Sequence, residues 1–211
     1  MAVSTRIWFV FAPLFCAGIP VVCIPAAEWM ALARYGSREF LWLWFALCFP
    51  ALAAVPIFLA SLVGLAFRRV RRHSAALALC SVAYFVAFIL SFRVADSVRM
   101  SAFHRLAERS KPLVTAVRAF EQKHGHAPES LQTLVPEFIP SVPSTGMGAY
   151  PEYLYSTAST NYEGNPWVLT VFTPQGGINF DQFMYFPLTN YPKTGYGGWL
   201  ERVGDWAYVH E

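Results

Sequence analysis

The sequence predicts a membrane protein with three transmembrane α-helices followed by a small α+β domain, in which an amphipathic helix packs on an antiparallel sheet. Two observations lead to this fold class. Three stretches without any charged residue, at residues 7–27, 40–67 and 74–92, can each cross a bilayer as a helix, which takes about 20 apolar residues. From residue 96 onward the chain changes to amphipathic and alternating patterns that are typical of a water-exposed domain.

The composition supports this division into a membrane domain and a soluble domain. Only 14% of the 211 residues are charged, against about 25% in an ordinary soluble domain. Residues 1–95 carry eight basic and two acidic residues, whereas residues 96–211 carry eight basic and eleven acidic residues. A nucleic-acid binder concentrates basic charge on its soluble part, so no nucleic-acid partner is predicted. All four cysteines lie in the apolar stretches, which excludes a disulfide framework in the soluble domain.

The orientation follows from the basic loop between the second and third stretches. Short loops rich in arginine stay in the cytoplasm, and this loop contains Arg68, Arg69, Arg71 and Arg72. The N-terminus is then cytoplasmic, and everything after the third helix lies outside the cytoplasm. The predicted location is the bacterial inner membrane, with residues 1–95 in contact with the lipid bilayer. Whether the first helix is retained or cleaved as a signal stays open, although its apolar run exceeds the roughly 7–15 residues of a signal peptide and favours retention.

Acidic residues and histidines are absent from all three stretches, and Glu28 and Glu39 fall in the predicted loop over residues 28–39. Ionisable residues inside a membrane mark proton or ion routes. The absence of acidic residues and histidines disfavours a transporter or channel. Five prolines in the first two stretches predict kinks that a membrane helix tolerates.

Residues 96–109 predict a membrane-proximal helix, and residues 110–211 predict a periplasmic α+β domain. Apolar residues recur at helical spacing and predict one buried face, formed by Phe103, Leu106, Leu113, Val117 and Phe120. Pro112 interrupts this pattern. We expect a break there, with Ser110 as the N-cap of a second helix. One continuous, kinked helix is the alternative.

Short elements fill the remainder of the domain. A proline at each end delimits a short helix over residues 128–136. Runs of aromatic and β-branched residues, separated by glycine-containing turns at residues 161–166 and 175–179, predict an antiparallel meander. Its strands are predicted at residues 153–157, 167–172 and 182–186, with residues 206–209 as a candidate edge strand.

The end of the amphipathic helix forms a corner defined by Phe120, Gly125, Pro128, Leu131 and Leu134. This corner resembles the globular part of type II secretion pseudopilins and related pilin-like domains, over about residues 110–143. A pilin-like subunit has one N-terminal hydrophobic helix behind a prepilin-peptidase site, whereas this chain has three apolar stretches and no such site. The resemblance therefore implies an extracytoplasmic domain of helix and small sheet, but neither processing nor assembly into a filament.

His124 and His126, with Glu129 nearby, are the candidates for a metal site. Zinc takes at least three protein ligands, and no third histidine is close in sequence. Solvated histidines in a turn are therefore expected, and no cofactor is predicted. The chain contains neither a G-x-S-x-G motif nor a glycine-rich phosphate loop, and no enzyme activity is predicted.

The functional hypothesis is a non-catalytic inner-membrane protein that presents a periplasmic interaction or scaffold domain to an envelope protein partner, in a secretion or envelope assembly. Two alternatives stay open. One is a membrane-bound immunity or stress protein that captures a periplasmic partner. The other is an envelope enzyme or metal-binding protein.

Overall fold

The computed structural model describes residues 2–157, 163–175, 179–193 and 198–210, with side chains described from residue 9 onward. The long helices are α1 (Ala2–Leu32), α2 (Trp42–Gly64) and α3 (Arg71–His124), and two short 3₁₀ helices span Arg38–Leu41 and Leu131–Leu134. The strands are β1 (Leu154–Thr157), β2 (Trp167–Phe172), β3 (Gln182–Tyr185), β4 (Leu200–Val203) and β5 (Trp206–Val209).

The chain divides into two compact units. The helical unit comprises residues 1–30 and 39–99, and the α+β unit comprises residues 31–38 and 100–211. Helix α3 contributes residues to both units.

Three helices of the described chain are long and apolar enough to cross a membrane by length and composition, which confirms the three predicted apolar helices. Large apolar side chains are exposed on α1 and α2, among them Phe15 and Phe49, which are 73% and 72% exposed. The interior of the helical unit is small and includes Ile24, Leu47 and Phe88. The strong exposure of apolar side chains is the pattern expected of helices that face lipid rather than water.

Helix α1 continues beyond the predicted end of the first stretch and includes Glu28. The sequence predicts a loop at Glu28, because this first charged residue marks the end of the apolar stretch. The structure instead encloses it completely: Nε of Arg99 donates a hydrogen bond of 2.7 Å to Oε1 of Glu28, and both side chains are 0% exposed. The second carboxylate oxygen, Oε2, has no hydrogen-bond partner in the described residues. The helical unit therefore contains a buried ion pair that the sequence did not indicate.

Helix α3 runs unbroken through Pro112. The expected break is therefore wrong, and the alternative of one continuous helix is correct; residues 96–109 are part of α3 and not a separate element. Ser110 does not cap a helix, because its buried hydroxyl donates a 2.8 Å hydrogen bond to the carbonyl oxygen of Ala107.

The predicted apolar stripe of α3 forms the core of the α+β unit. The five side chains are at most 7% exposed: Phe103, Leu106, Leu113, Val117 and Phe120. Phe103 stacks on Phe183 of β3 with ring centroids 4.6 Å apart, and it meets Tyr208 of β5 edge-on at 4.7 Å. These contacts confirm the predicted packing of an amphipathic helix on an antiparallel sheet.

The sheet has five strands in the order β1-β2-β3-β5-β4, and every neighbouring pair is antiparallel. Strands β2 and β5 match their predicted bounds, and β1 and β3 are each one residue shorter than predicted. The prediction of β5 as an edge strand is wrong, because β5 pairs with both β3 and β4. Strand β4 occupies that edge and was not predicted. The predicted turns at residues 161–166 and 175–179 lie partly outside the described residues.

The sheet face that points away from α3 has a smaller apolar cluster of its own, formed by Val168, Met184, Phe186 and Val209. Tyr191 packs against this cluster and stacks on Phe186 at 4.6 Å. Its hydroxyl donates to the carbonyl oxygen of Asp205 at 2.7 Å and accepts from the backbone N–H of Phe186 at 2.8 Å. Burial raises the pKa of Tyr191, so this phenol is a neutral hydrogen-bonding group at physiological pH.

The Glu28–Arg99 pair yields a prediction about stability. Removing one member of a buried ion pair leaves an uncompensated charge and costs about 3–5 kcal/mol, whereas replacing both members with apolar residues of similar volume is often neutral. We therefore expect Glu28→Leu to destabilise the protein by about that amount and Glu28→Leu/Arg99→Met to recover most of the loss. Denaturant unfolding in detergent, followed by circular dichroism, measures the free energy of unfolding. Equal losses in the single and double variants would contradict this account.

Candidate functional site: a groove beside strand β1

The structure builds the predicted corner from buried side chains. Phe120 is buried and stacks on His124 at 4.3 Å. Helix α3 ends at His124, and Gly125 follows with φ +76°, a left-handed conformation that glycine adopts without steric cost. Leu131 and Leu134 are buried in the 3₁₀ helix that follows. The corner therefore fixes where residues 128–134 lie in the α+β unit.

The two candidate metal ligands lie at this corner without forming a metal cluster in the described residues. The rings of His124 and His126 are 6.2 Å apart, and both are close to Phe120. Nδ1 of His126 lies 2.9 Å from the carbonyl oxygen of Ala127. These contacts are those of packing and hydrogen-bonding groups in a turn.

The four arginines used to predict orientation are all exposed. Arg68 and Arg69 lie between α2 and α3, and Arg71 and Arg72 occupy the first turn of α3. Basic residues at a helix N-terminus gain nothing from the helix dipole. Local helix stability therefore does not account for this arginine cluster.

A groove of about 470 Å³ lies beside β1 in the α+β unit, here called the β1 groove. Three separate segments line it: residues 129–132 of the corner, residues 142–144, and residues 151–153 together with Tyr155 of β1. No lysine or arginine lines it among the described residues.

Hydrogen bonds hold these segments in place. Tyr155 donates a 3.0 Å hydrogen bond to the carbonyl oxygen of Pro128, which ties β1 to the corner. Tyr150, whose side chain is buried, donates to the carbonyl oxygen of Pro174 at 2.6 Å. The hydroxyl of Thr145 donates to the carbonyl oxygen of Tyr150 at 2.5 Å. These bonds fix the walls of the groove.

Gly148 permits a close backbone approach in the same region. Its N–H donates to the carbonyl oxygen of Ala33 at 2.8 Å. A Cβ atom on Gly148 would lie 2.2 Å from the carbonyl oxygen of Gly36, so any other residue would force the two backbones apart. Residues 31–38, which the sequence treated as a loop of the membrane domain, therefore pack in the α+β unit.

The titratable side chains that line the groove are two glutamates and two tyrosines. Glu129 and Glu152 are exposed, and neither forms an ion pair in the described residues. The hydroxyl of Tyr153 is enclosed and has no hydrogen-bond partner in the described residues. Burial raises the pKa of Tyr153 to about 12, against the opposing effect of the Arg109 guanidinium. The groove thus offers negative charge and aromatic surface.

A second groove of about 400 Å³ lies between α3 and the β4–β5 turn. Its charged groups are largely engaged with one another: Lys111 pairs with Glu108, and Nη2 of Arg118 donates to the hydroxyl of Tyr185 at 2.7 Å. This groove therefore has fewer charged side chains available to bind a ligand than the β1 groove.

Sequence reasoning did not find the β1 groove because its walls come from segments that are distant in the chain. Glu129 was named only as a neighbour of the histidines, and Glu152 was not singled out. Comparison with protein-family models, with curated proteins and with solved structures found no match. Function is therefore inferred from the geometry and chemistry of the two units.

Zinc binding tests whether His124 and His126 form a metal site. We expect purified full-length protein to bind zinc no more tightly than His124→Ala/His126→Ala, because the pair lacks a third ligand in the described residues. Metal content after zinc equilibration and dialysis, measured by mass spectrometry, gives the comparison, with His104→Ala as an exposed-histidine control. Stoichiometric zinc that disappears only in the double variant would establish a metal site.

Proposed function

We propose that the protein is a non-catalytic, multi-pass inner-membrane protein that presents its α+β unit to an envelope protein partner in the periplasm. The observation that carries the proposal is the contrast between the surfaces of the two units. Helices α1 and α2 expose large apolar side chains, as lipid-facing helices do, whereas the α+β unit encloses an aromatic core under α3. A unit with its own closed core that follows apolar helices is the arrangement of a membrane-anchored binding module.

The engagement of buried polar side chains favours binding over catalysis. In the α+β unit, Tyr208 donates to Oδ2 of Asp181 at 2.6 Å, and Tyr150 donates to the carbonyl oxygen of Pro174. A catalytic constellation brings a nucleophile and a base together at one concave surface. The titratable side chains in the β1 groove are instead two exposed glutamates and two tyrosines, which suit recognition.

The same proposal includes a pilin-like character for residues 110–211 and a role in a secretion or envelope assembly. Support comes from the corner, where a long helix ends at Gly125 and turns into a short helix with Leu131 and Leu134 buried. A small antiparallel sheet then covers the buried face of the helix. Filament formation is not part of the proposal.

Partner capture tests the function directly. Intact cells that express the full chain with a C-terminal tag are crosslinked, and the captured proteins are identified by mass spectrometry. We expect a reproducible envelope partner that is lost when residues 100–211 are deleted. Recovery of the protein alone, under conditions where a known envelope complex is recovered, would contradict an interaction module.

The orientation has its own test. Alkaline phosphatase is active only outside the cytoplasm, so we expect activity when it is fused after Glu211 and no activity when it is fused after Arg69. The basic cluster at residues 68–72 is the physical reason. Immunoblots control for expression of both fusions. An expressed but inactive fusion after Glu211 would reverse the proposed topology.

A further inference from the structure

The two edges of the sheet differ in how they are protected against strand pairing. Exposed edges are usually blunted by charged residues or proline. Strand β4, at one edge, carries Glu201 and Arg202, both exposed. Strand β1, at the other edge, has the sequence Leu-Tyr-Ser-Thr, with neither a charge nor a proline, and three of its four residues are exposed. In the described residues, β1 pairs on one side only, with β2.

Apolar surface lies beside this open edge, on the sheet face that points away from α3. Leu154 is 54% exposed, and it is paired with Thr170, two residues from Phe172. The ring of Phe172 lies 6.5 Å from that of Phe180, which is 59% exposed. Side chains two residues apart on a strand share a face, so Leu154 and Phe172 lie on the same face of the sheet. We call Leu154, Phe172 and Phe180 the outer patch.

The β1 groove lies along the same strand, since Tyr153 and Tyr155 form part of its wall. Its exposed carboxylates, Glu129 and Glu152, have no ion-pair partner in the described residues. An extended chain placed along β1 would direct alternate side chains to opposite faces of the sheet. One set would meet the outer patch, and the other set would face the groove, whose lining includes both carboxylates.

We propose that β1 is a strand-addition site for an extended segment of a partner protein, in which apolar residues alternate with lysine or arginine. Backbone hydrogen bonds to the β1 edge supply affinity, and the alternating side chains supply specificity, as in other strand-addition complexes. The net negative charge of residues 96–211 favours the approach of a basic segment. This inference rests on the proposed function and specifies the surface and the class of partner.

The first test measures peptide binding to the full chain in nanodiscs by fluorescence anisotropy. The probe is a labelled peptide of alternating lysine and valine, and its counterpart with glutamate in place of lysine is the charge control. We expect saturable binding of the lysine peptide that weakens at high salt, and at least tenfold weaker binding of the glutamate peptide. Equal binding of both peptides would overturn the charge recognition.

Backbone pairing is tested with N-methylated peptides. A strand added to one edge uses the N–H groups of alternate residues only. We therefore expect that methylation of one alternating set abolishes binding, whereas methylation of the other set leaves most of it. Binding that survives both substitutions would show that the peptide does not add as a strand.

Variants of the chain locate the site. Glu129→Lys/Glu152→Lys should bind the lysine peptide about tenfold more weakly, on the scale of two exposed charge contacts. Glu201→Lys/Asp205→Lys, which reverses two exposed acidic residues at the opposite edge and changes the net charge by the same amount, is the matched control and should bind normally. Equal weakening of peptide binding in Glu129→Lys/Glu152→Lys and in the control would show that only the net charge of the chain matters. That result would overturn the site.

A fluorescent probe on the outer patch distinguishes binding of a protein segment from contact with lipid. A fluorophore placed at Phe172→Cys, in a background with the four native cysteines replaced by alanine, should shift to the blue when the lysine peptide binds. A blue shift that is present without peptide in nanodiscs and absent in detergent would assign the patch to the bilayer surface and overturn the proposal.

Partner capture distinguishes the two levels of inference. If the cellular partner is captured equally by the wild-type chain and by Glu129→Lys/Glu152→Lys, the result supports the proposed interaction function and contradicts the β1 site. If no partner is captured by the wild-type chain, the proposed function itself fails, whatever the peptide binds.

Discussion

The α+β unit depends on the burial of one face of α3 against the sheet. Strands of four to six residues cannot form an independently stable sheet without a helix or a second layer over their apolar face. Phe103 provides the central contact, because its fully buried ring touches both β3 and β5 through Phe183 and Tyr208. Each fully buried leucine or phenylalanine contributes about 1.5–3 kcal/mol, so the stripe dominates the interaction between the helix and the sheet.

The same constraint explains why α3 continues through Pro112. A proline inside a helix costs about 3 kcal/mol or more, because it removes a hydrogen bond and its ring clashes with the preceding turn. A break at Pro112 would rotate the part of the helix after it relative to the part before it. Phe103 and Leu106 would then no longer lie on the same face as Leu113 and Val117. Losing the burial of all four of these side chains would cost about 6–12 kcal/mol, more than the roughly 3 kcal/mol of the proline, and the continuous helix is therefore the lower-energy arrangement.

Much of the fold could be predicted from local pattern, and the errors have physical causes. The exposed apolar helices, the buried stripe of α3 and strands β2 and β5 follow from hydrophobicity, periodicity and β-branched or aromatic content. Strand β4 was missed because Glu201 and Arg202 mask its pattern, and its place at the edge depends on pairing with β5, which no local signal encodes. Glu28 was placed in a loop because only the folded chain brings Arg99 to it. The β1 groove could not be predicted, because residues 129–132, 142–144 and 151–155 meet only in the fold.

The distribution of polar groups points to the side of the α+β unit that is available for binding. Elsewhere in the unit, polar side chains stabilise the fold: Asp181 accepts from Tyr208, Arg118 donates to Tyr185, and Lys123 pairs with Glu137. At β1 the exposed carboxylates of Glu129 and Glu152 form no ion pair in the described residues. A charge at exposed Ser156 or Thr157 would protect the β1 edge at little cost to stability, since both side chains face solvent. Fold stability therefore explains neither the unprotected edge nor the two exposed carboxylates beside it, whereas a basic segment that binds along β1 would account for both.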